Sequence, residues 1–485
     1  MKVIDIKSLG ALKASGYKSK SIKDELRDNL VYALTKEIKV FNGIHGFDDT
    51  VIPDIERAIL SKHHILLLGL RGQAKTKLAR LLVNLLDEYI PIVEGSEILD
   101  DPYHPLSPFA KEKINTLGDE TPIKWIHRDD RYVEKLATPD VSIADLIGDV
   151  DPIKAATLKL PYADERVIHY GLIPRANRSI FVINELPDLQ PRIQVSLFNI
   201  LQEGDLQIRG FKVRLPLDIQ FLFTANPEDY TNRGSIITPL KDRIDSQIIT
   251  HYPLDIATAM TITEQESRVD PKQKNIFIPQ MLRVLLEQIS FEARSSELVD
   301  LNSGVSARLG ISAYENLVSA VERRMLKNKE LMATARVSDF VGVLPAITGK
   351  VELVYEGEQL GPYKVAFELF NKAIKTEFLK YLPHPEKLKK NERDPYGIIK
   401  AWFEGQHELR MGVDISQSDY ETSLDQVSGL ERLVKTLPVP ENEKNVFKEL
   451  VLHGLASFNL LNKELHQTTI QFSDPLGDLE DMEKD

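Results

Sequence analysis

Cysteine is absent from the chain, which has 485 residues. Its absence excludes disulfide bonds, thiol catalysis and cysteine-ligated metal ions, and it is typical of the reducing cytoplasm, where we expect this protein. Long apolar runs are missing as well, because no stretch approaches the roughly 18 apolar residues of a membrane-spanning helix. The first residues carry lysines without the apolar core of a secretion signal. The sequence therefore predicts neither export nor a membrane span.

Basic residues are fewer than acidic ones, with 61 Lys and Arg and 73 Asp and Glu, so the formal net charge is -12. A negative surface repels phosphate backbones, which argues against nucleic acid as a partner. The histidines show no metal-ligand spacing, and the adjacent His63 and His64 cannot chelate one ion from a helix face. We therefore predict no structural metal.

Three short apolar runs are separated by helical stretches in the first half of the chain. They are HHILLLGL at 63–70, SIFVINEL at 179–186 and IQFLFTAN at 219–226. Such runs are typical of buried parallel strands, and their alternation with helices predicts a doubly wound α/β sheet. Polar residues follow each run, at the carboxyl end where open α/β sheets bind ligands. After residue 253 the pattern is mostly helical.

The segment GLRGQAKT at 69–76 lies between the first apolar run and a helical pattern, which is the context of a phosphate-binding loop. Backbone N–H groups would cradle the phosphates, Lys75 would reach the β and γ phosphates, and the Thr76 hydroxyl would bind Mg²⁺. Ala74 stands where a glycine is usual, so its backbone must adopt a permissible φ. A chance glycine-rich turn is the alternative.

Polar residues at two further strand ends suit the same chemistry. Glu185 would accept a proton from the attacking water, and Asn184 would help to hold Mg²⁺. Asn184 stands where aspartate is usual, so it keeps an oxygen and loses a charge. We expect slower hydrolysis as a result, and we expect Asn184→Asp to raise Mg²⁺ affinity. Asn226, in TANP at 224–227, would orient the water.

Two arginines complete the set, because a planar guanidinium binds phosphate oxygens bidentately. Arg243 lies in PLKDRID, and Arg308 lies in SGVSARLGIS at the start of a helical pattern. Each alone would be an ordinary surface residue. Their order after the loop is what favours a role in the site.

The order of these motifs resembles the AAA+ ATPases, and within them the MoxR and magnesium-chelatase I-subunit group. Supporting matches over residues 38 to 350 are IHGF at 44–47, RIQVSLFNILQEGDLQIRG at 192–210 and TPLKDRID at 238–245. The resemblance implies ATP and Mg²⁺ as cofactors and a homo-oligomer, with a hexameric ring as the family precedent. It also implies a hairpin at about 204–216 and an insert in the second helix, within 137–170.

The resemblance assigns each candidate residue a role. It implies nucleotide contacts from Gly69, Gly72, Ala74, Lys75, Thr76, Leu78, Ile44 and Gly46. It implies metal contacts from Thr76 and Asn184. For catalysis it implies Glu185 as the base, Asn226 as sensor 1, Arg243 as a finger into the neighbouring subunit, and Arg308 as sensor 2.

The predicted fold is a doubly wound parallel-sheet P-loop domain of AAA+ type, followed by a helical lid and a further helical region. We predict four parts: an N-terminal helical segment at 1–40, the nucleotide-binding αβα domain at 41–255, the lid at 256–350, and a C-terminal helical region with an acidic tail at 351–485.

Several functions fit this sequence. The first is an ATPase motor that remodels or activates a protein, as MoxR proteins are thought to do with partners that hold a von Willebrand A domain. The second is a magnesium-chelatase ATPase subunit, and the third is a weakly hydrolysing, nucleotide-gated scaffold. A sigma-54-type activator is disfavoured, because its GAFTGA loop is absent.

Overall fold

Five strands of a parallel sheet organise the first part of the chain in the computed structural model. In chain order they are β1 (Ile65–Leu68), β2 (Tyr132–Leu136), β3 (Ser179–Asn184), β4 (Ile219–Ala225) and β5 (Ser246–Ile249). Their spatial order is β5-β1-β4-β3-β2, and every neighbouring pair is parallel. The structure describes residues 3–162, 164–203, 205–208, 214–227, 235–387, 394–466 and 469–475.

The three predicted strands are the central ones. β3 and β4 are buried at every position, because neighbours flank both edges and helices cover both faces. β2 and β5 carry polar and charged residues and are only partly buried. They lie at the two edges of the sheet, so they lack the apolar run by which the others were predicted.

Alternate residues of each strand point to opposite faces of the sheet. Leu67 packs with the helices Ile22–Thr35 and Val51–Leu60 in one apolar cluster. Leu66 points the other way, into a cluster that contains three phenylalanines of β3 and β4. Helices on both faces confirm the doubly wound architecture.

Residues 1–40 were predicted as a helical segment. Two helices, Leu9–Ala14 and Ile22–Thr35, occupy this range. The first ends before Gly16, whose φ of +74° suits a glycine. The second begins after Ser21, whose side chain accepts a hydrogen bond from the Asp24 N–H and caps the helix.

The resemblance implied an insert within 137–170 and a hairpin at about 204–216, and the structure has antiparallel strands in both ranges. The range 137–170 contains an antiparallel pair, Gly148–Val150 with Ile168–Tyr170, on either side of the helix Pro152–Leu158. The range 204–216 contains the antiparallel strands Asp205–Gln207 and Arg214–Pro216. Residues 204 and 209–213 of that hairpin lie outside the described residues.

The remaining elements of the first part are short. Its other strands are Tyr89–Val93 and Ile123–His127. Its other α-helices are Lys75–Leu81, Pro108–Leu117, Ile143–Leu146, Leu172–Arg175, Pro191–Ser196, Phe198–Glu203 and Thr238–Lys241.

The chain divides into two compact units, Met1–His251 and Tyr252–Asp485. The described part of the second unit is largely helical, and the helices Gln280–Arg294 and Arg308–Lys327 match the predicted periodicity. The α-helices described in this unit are Ile256–Glu266, Gln280–Arg294, Arg308–Lys327, Leu344–Thr348, Tyr355–Leu360, Pro362–Tyr381, Gly397–Glu404, Gln417–Asp425, Leu430–Val434 and Lys444–Ser457. The finer division into four parts remains a prediction.

The second unit also contains strands that the periodicity did not indicate. An antiparallel sheet joins Leu409–Gly412, Thr469–Ser473 and Asn462–His466 in that spatial order. A parallel pair joins Ile276–Phe277 and Ala333–Thr334. These strands are short and rich in polar residues, so they leave no apolar run in the sequence. Among the described residues no helix is long and apolar enough to cross a membrane.

Candidate nucleotide-binding site

The predicted phosphate loop follows β1 and ends where the helix Lys75–Leu81 begins. Its first residue, Gly69, donates its N–H to the carbonyl of Ala225 over 3.1 Å. The Thr250 hydroxyl donates to Gln73 Oε1 over 2.7 Å. A Cβ atom on Gly69 would collide with both of those side chains. The loop is therefore fixed at its base between the ends of β4 and β5.

Two positions of the loop have left-handed backbone. Gly72 has a φ of +74° and Ala74 a φ of +55°. The usual glycine at position 74 would adopt this conformation freely, whereas an alanine is strained there by about 1–2 kcal/mol. The sequence departure at Ala74 therefore leaves the loop shape intact and costs stability.

We expect Ala74→Gly to stabilise the protein modestly. Relief of the strained φ, about 1–2 kcal/mol, exceeds the entropy cost of glycine, about 0.5–1 kcal/mol, by at most about 1.5 kcal/mol. Scanning calorimetry should show a Tm higher by about 1–4 °C. The control is Ala156→Gly, in the helix Pro152–Leu158, which should lower stability by about 1 kcal/mol. A lower Tm for Ala74→Gly would show that the packing of the Ala74 methyl group outweighs the strain.

A chain of hydrogen bonds joins three predicted residues across the carboxyl edge of the sheet. The buried Lys75 ammonium donates to Asn226 Oδ1 over 2.7 Å and to the carbonyls of Leu70 and Gly69. Asn226 Nδ2 donates to Glu185 Oε2 over 3.0 Å. The structure thus places the ammonium, the amide and the carboxylate in one row.

Glu185 itself has left-handed backbone, with a φ of +54°. This conformation costs a non-glycine residue about 1–3 kcal/mol, and such residues cluster at functional sites. The Glu185 N–H donates to the Thr224 hydroxyl over 3.1 Å, which ties the strained residue to β4. The sharp turn at the end of β3 directs its carboxylate towards Asn226.

Asn184 is buried beside this row and has two partners. Its Oδ1 accepts from the Thr224 hydroxyl over 3.1 Å, and its Nδ2 donates to Glu134 Oε1 over 2.6 Å. Sequence reasoning missed Glu134, because β2 is an edge strand without an apolar run. Besides Glu185, the site therefore has a second carboxylate, that of Glu134. It contacts position 184, where asparagine stands in place of the usual aspartate.

The predicted finger, Arg243, has partners within its own subunit. Its Nε donates to Gln202 Oε1 over 3.1 Å, and its Nη1 donates to the carbonyl of Pro239 over 2.7 Å. Its guanidinium carbon lies 4.9 Å from the centre of the Phe198 ring. Both Gln202 and Phe198 belong to the helix that leads into the hairpin.

The hydrogen bonds of this row do not include the other predicted residues of the first unit, Thr76, Ile44, Leu78 and Gly46. Thr76, the second residue of the helix Lys75–Leu81, is partly buried. Ile44 and Leu78 are buried in the apolar cluster on one face of the sheet, and Gly46 has a φ of +77°. Arg308 is exposed at the start of its helix in the second unit. Their roles stay predictions.

The donor set fits a nucleotide with Mg²⁺. A buried ammonium suits phosphate oxygens, and carboxylate, amide and hydroxyl oxygens suit a hard cation. Successive hydrogen bonds connect Lys75, Asn226 and Glu185, and then, through Thr224, Asn184 and Glu134. Asn184, Glu185 and Asn226 lie at or directly after the carboxyl ends of β3 and β4, where such ligands bind in parallel sheets.

The strand order, the predicted phosphate loop after β1 and the polar ends of β3 and β4 are those of a doubly wound P-loop domain, as predicted from the sequence. The chain is similar to the magnesium-chelatase 38 kDa subunit of Cereibacter sphaeroides, with 24% identity over 214 residues, which are 42% of this chain and 56% of that protein. The same subunit of Rhodobacter capsulatus is 25% identical over 246 residues, which are 50% of this chain and 64% of that protein. The resemblance to the magnesium-chelatase I-subunit type of AAA+ ATPase is thereby confirmed.

These similarities cover part of each protein. The chain matches less than two thirds of the length of either relative. No protein-family model matches it. Among solved structures, a chain of the complex between subunits BchI and BchD of magnesium chelatase is 19% identical, covers 66% of this chain and 98% of its own, and has a TM-score of 0.33. The fold assignment rests on the strand order and the loop.

Proposed function

We propose that the protein binds ATP with Mg²⁺ and hydrolyses it to ADP and phosphate, as an AAA+ motor that remodels or activates a partner protein. The hydrogen-bonded row of Lys75, Asn226 and Glu185 is the observation that supports this function best. It joins a phosphate-binding cation to a carboxylate through an amide, at the end of a sheet that carries a phosphate loop.

Each residue of the row has a role that its contacts suit. The Lys75 ammonium exchanges its loop carbonyls for phosphate oxygens when ATP is bound. The Asn226 amide, held between the ammonium and the carboxylate, orients a water molecule. The Glu185 carboxylate accepts the proton of that water as it attacks the γ phosphate. Thr76 and Asn184 would hold the Mg²⁺ that accompanies ATP, and that ion would neutralise part of the phosphate charge.

The assembly and the partner belong to the same proposal. A finger arginine acts in the neighbouring subunit, so Arg243 supports a homo-oligomer, for which a hexameric ring is the precedent in the family that the chain resembles. A protein with a von Willebrand A domain is the partner we propose, and Arg308 acts as sensor 2. The absence of cysteine supports the cytoplasm as the location.

Lys75→Ala tests the nucleotide site. We expect the affinity for a fluorescent ATP analogue with Mg²⁺ to fall at least about tenfold, because the loop loses its charge-assisted hydrogen bonds to phosphate. The control is Lys111→Ala, the same change on the exposed face of the helix Pro108–Leu117, with Tm measured for both variants. Parent-like affinity in a folded Lys75→Ala protein would contradict the loop assignment.

A second candidate is an ATPase subunit of a magnesium chelatase, which the similarity to the two 38 kDa subunits favours. Capture of partners by the tagged protein in its own host, with ATP present, separates the two. A von Willebrand A-domain protein without porphyrin enzymes supports the remodelling motor, whereas porphyrin-binding subunits support chelation. ATP binding with no measurable turnover would instead support the nucleotide-gated scaffold.

A further inference from the structure

Glu134 faces the site from the middle of β2 and has three partners. Its Oε1 accepts from Asn184 Nδ2 over 2.6 Å. Its Oε2 accepts from Arg80 Nε and from the Tyr132 hydroxyl, each over 3.1 Å. The Glu134 side chain is 23% exposed, so it is accessible from the edge of the site.

The charge of Glu134 is only partly offset by its neighbours. Hydrogen bonding to Glu134 raises the pKa of Arg80, and burial followed by the Glu134 charge raises the pKa of Tyr132. The Arg80 side chain is 64% exposed, and ion pairs with such a screened partner contribute little. Glu134 thus accepts hydrogen bonds from all three partners, and its ion pair with Arg80 is a weak one.

The contacts fix the orientation of the Asn184 amide. A carboxylate only accepts hydrogen bonds, so the NH₂ group must face Glu134, and the oxygen then faces the Thr224 hydroxyl. An aspartate at position 184 would bring two carboxylates to about the same short separation, which like charges oppose. Asparagine at position 184 and glutamate at position 134 thus form a matched pair.

We propose that Glu134 is the positioning carboxylate of the magnesium site, and that the charge usually found at the end of β3 has moved to the adjacent strand. The inference rests on the proposed function, since it concerns the Mg²⁺ that accompanies ATP. Mg²⁺ usually keeps several of its water ligands in proteins, and one or two carboxylates and the substrate phosphates supply the others. Glu134 would act on the ion by orienting the Asn184 amide.

The sequence alone predicts that Asn184→Asp raises the affinity for Mg²⁺. The contact between residues 184 and 134 predicts the opposite. Asn184→Asp alone should weaken the site, because the introduced carboxyl faces Glu134. The exchanged pair, Glu134→Gln with Asn184→Asp, keeps the net charge and restores one amide and one carboxylate in contact. Comparison of this double variant with each single variant is therefore the sharpest test of the contact between residues 134 and 184.

The experiment compares four proteins: the parent, Glu134→Gln, Asn184→Asp and the double variant. The affinity for a fluorescent ATP analogue is measured with Mg²⁺ and with EDTA, and the ratio gives the contribution of the metal. We expect Glu134→Gln to lower the ratio by about 10–100-fold, as for other residues that orient metal ligands, with the EDTA affinity unchanged. The double variant should recover most of the ratio, and the exposed Glu112→Gln is the control.

A measurement without nucleotide tests the facing geometry independently. In Asn184→Asp the introduced carboxyl should have a higher pKa in the folded state than in the unfolded state, because it faces Glu134. Between those two pKa values the folded state holds a proton that the unfolded state has released. Its stability relative to the parent should therefore fall as the pH rises from about 4 to 7. Arg80 faces the pair from its helix and Tyr132 from β2, and both are unchanged in all four proteins. The double variant should lose this pH dependence.

The outcomes separate the two ideas. If the parent binds the ATP analogue and the Mg²⁺ ratio of Glu134→Gln equals that of the parent, the assignment of Glu134 is wrong while the proposed function stands. An equal loss with Mg²⁺ and with EDTA would indicate a purely structural role and also overturn the assignment. A parent that does not bind the analogue overturns the proposed function and the inference together.

Discussion

Glu185→Gln is expected to bind ATP like the parent and to hydrolyse it about 10²–10⁴-fold more slowly. Such a loss is the typical contribution of a positioned general base. The amide oxygen of glutamine can still accept the hydrogen bond from Asn226 Nδ2, so the geometry of the row is kept. What the amide lacks is the ability to take a proton from water at neutral pH.

Single-turnover hydrolysis and equilibrium ATP binding, measured on the same preparation, check this expectation. The exposed Glu112→Gln is the matched control, since it removes one carboxylate from the same unit. Parent-like hydrolysis by Glu185→Gln would show that another group activates the water. A joint loss of binding and hydrolysis would show that Glu185 holds the loop rather than the water.

Arg243→Ala is expected to bind ATP normally and to lose about 10³–10⁵ in hydrolysis rate, the range for arginine fingers in other phosphoryl-transfer systems. The reason is that charge spreads over the γ-phosphate oxygens in the transition state, where a guanidinium from the next subunit stabilises it. Arg175→Ala, at the exposed end of the helix Leu172–Arg175, is the control for loss of an arginine.

A mixing experiment decides whether Arg243 acts between subunits. Lys75→Ala subunits lack a working site and keep the finger, whereas Arg243→Ala subunits lack the finger and keep a site. Mixed rings should regain activity wherever an intact Arg243 meets an intact loop. If mixed assemblies form and stay inactive, the arginine acts in its own subunit or has no catalytic role. Light scattering that detects only monomer at every ATP concentration would contradict the ring.

The centre of the fold was predictable from the sequence, and its periphery was not. β1, β3 and β4 are buried on both faces, so each appears as an apolar run. The edge strands β2 and β5 need only partial burial, and they share their mixed composition with helices and loops. The antiparallel strands of the second unit, such as Asn462–His466, have the same ambiguity.

The same distinction governs the candidate site. Lys75, Glu185 and Asn226 stand directly after strong strand signals or in a spaced motif, and the structure joins them. Glu134 lies in the middle of a weak strand, and only its register against β3 brings it to Asn184. The partners of Arg243 are equally hidden, because Gln202 lies 41 residues away in the chain.

Those partners have a mechanical consequence. To reach a phosphate in another subunit, the Arg243 guanidinium must release Gln202 and the Pro239 carbonyl and leave the face of Phe198. The first and third of these contacts are supplied by the helix Phe198–Glu203, which precedes the hairpin in the chain. If Arg243 acts in a neighbouring subunit, as we propose, a displacement of this helix would change the restraint on the arginine and so couple the hairpin of one subunit to hydrolysis in the next.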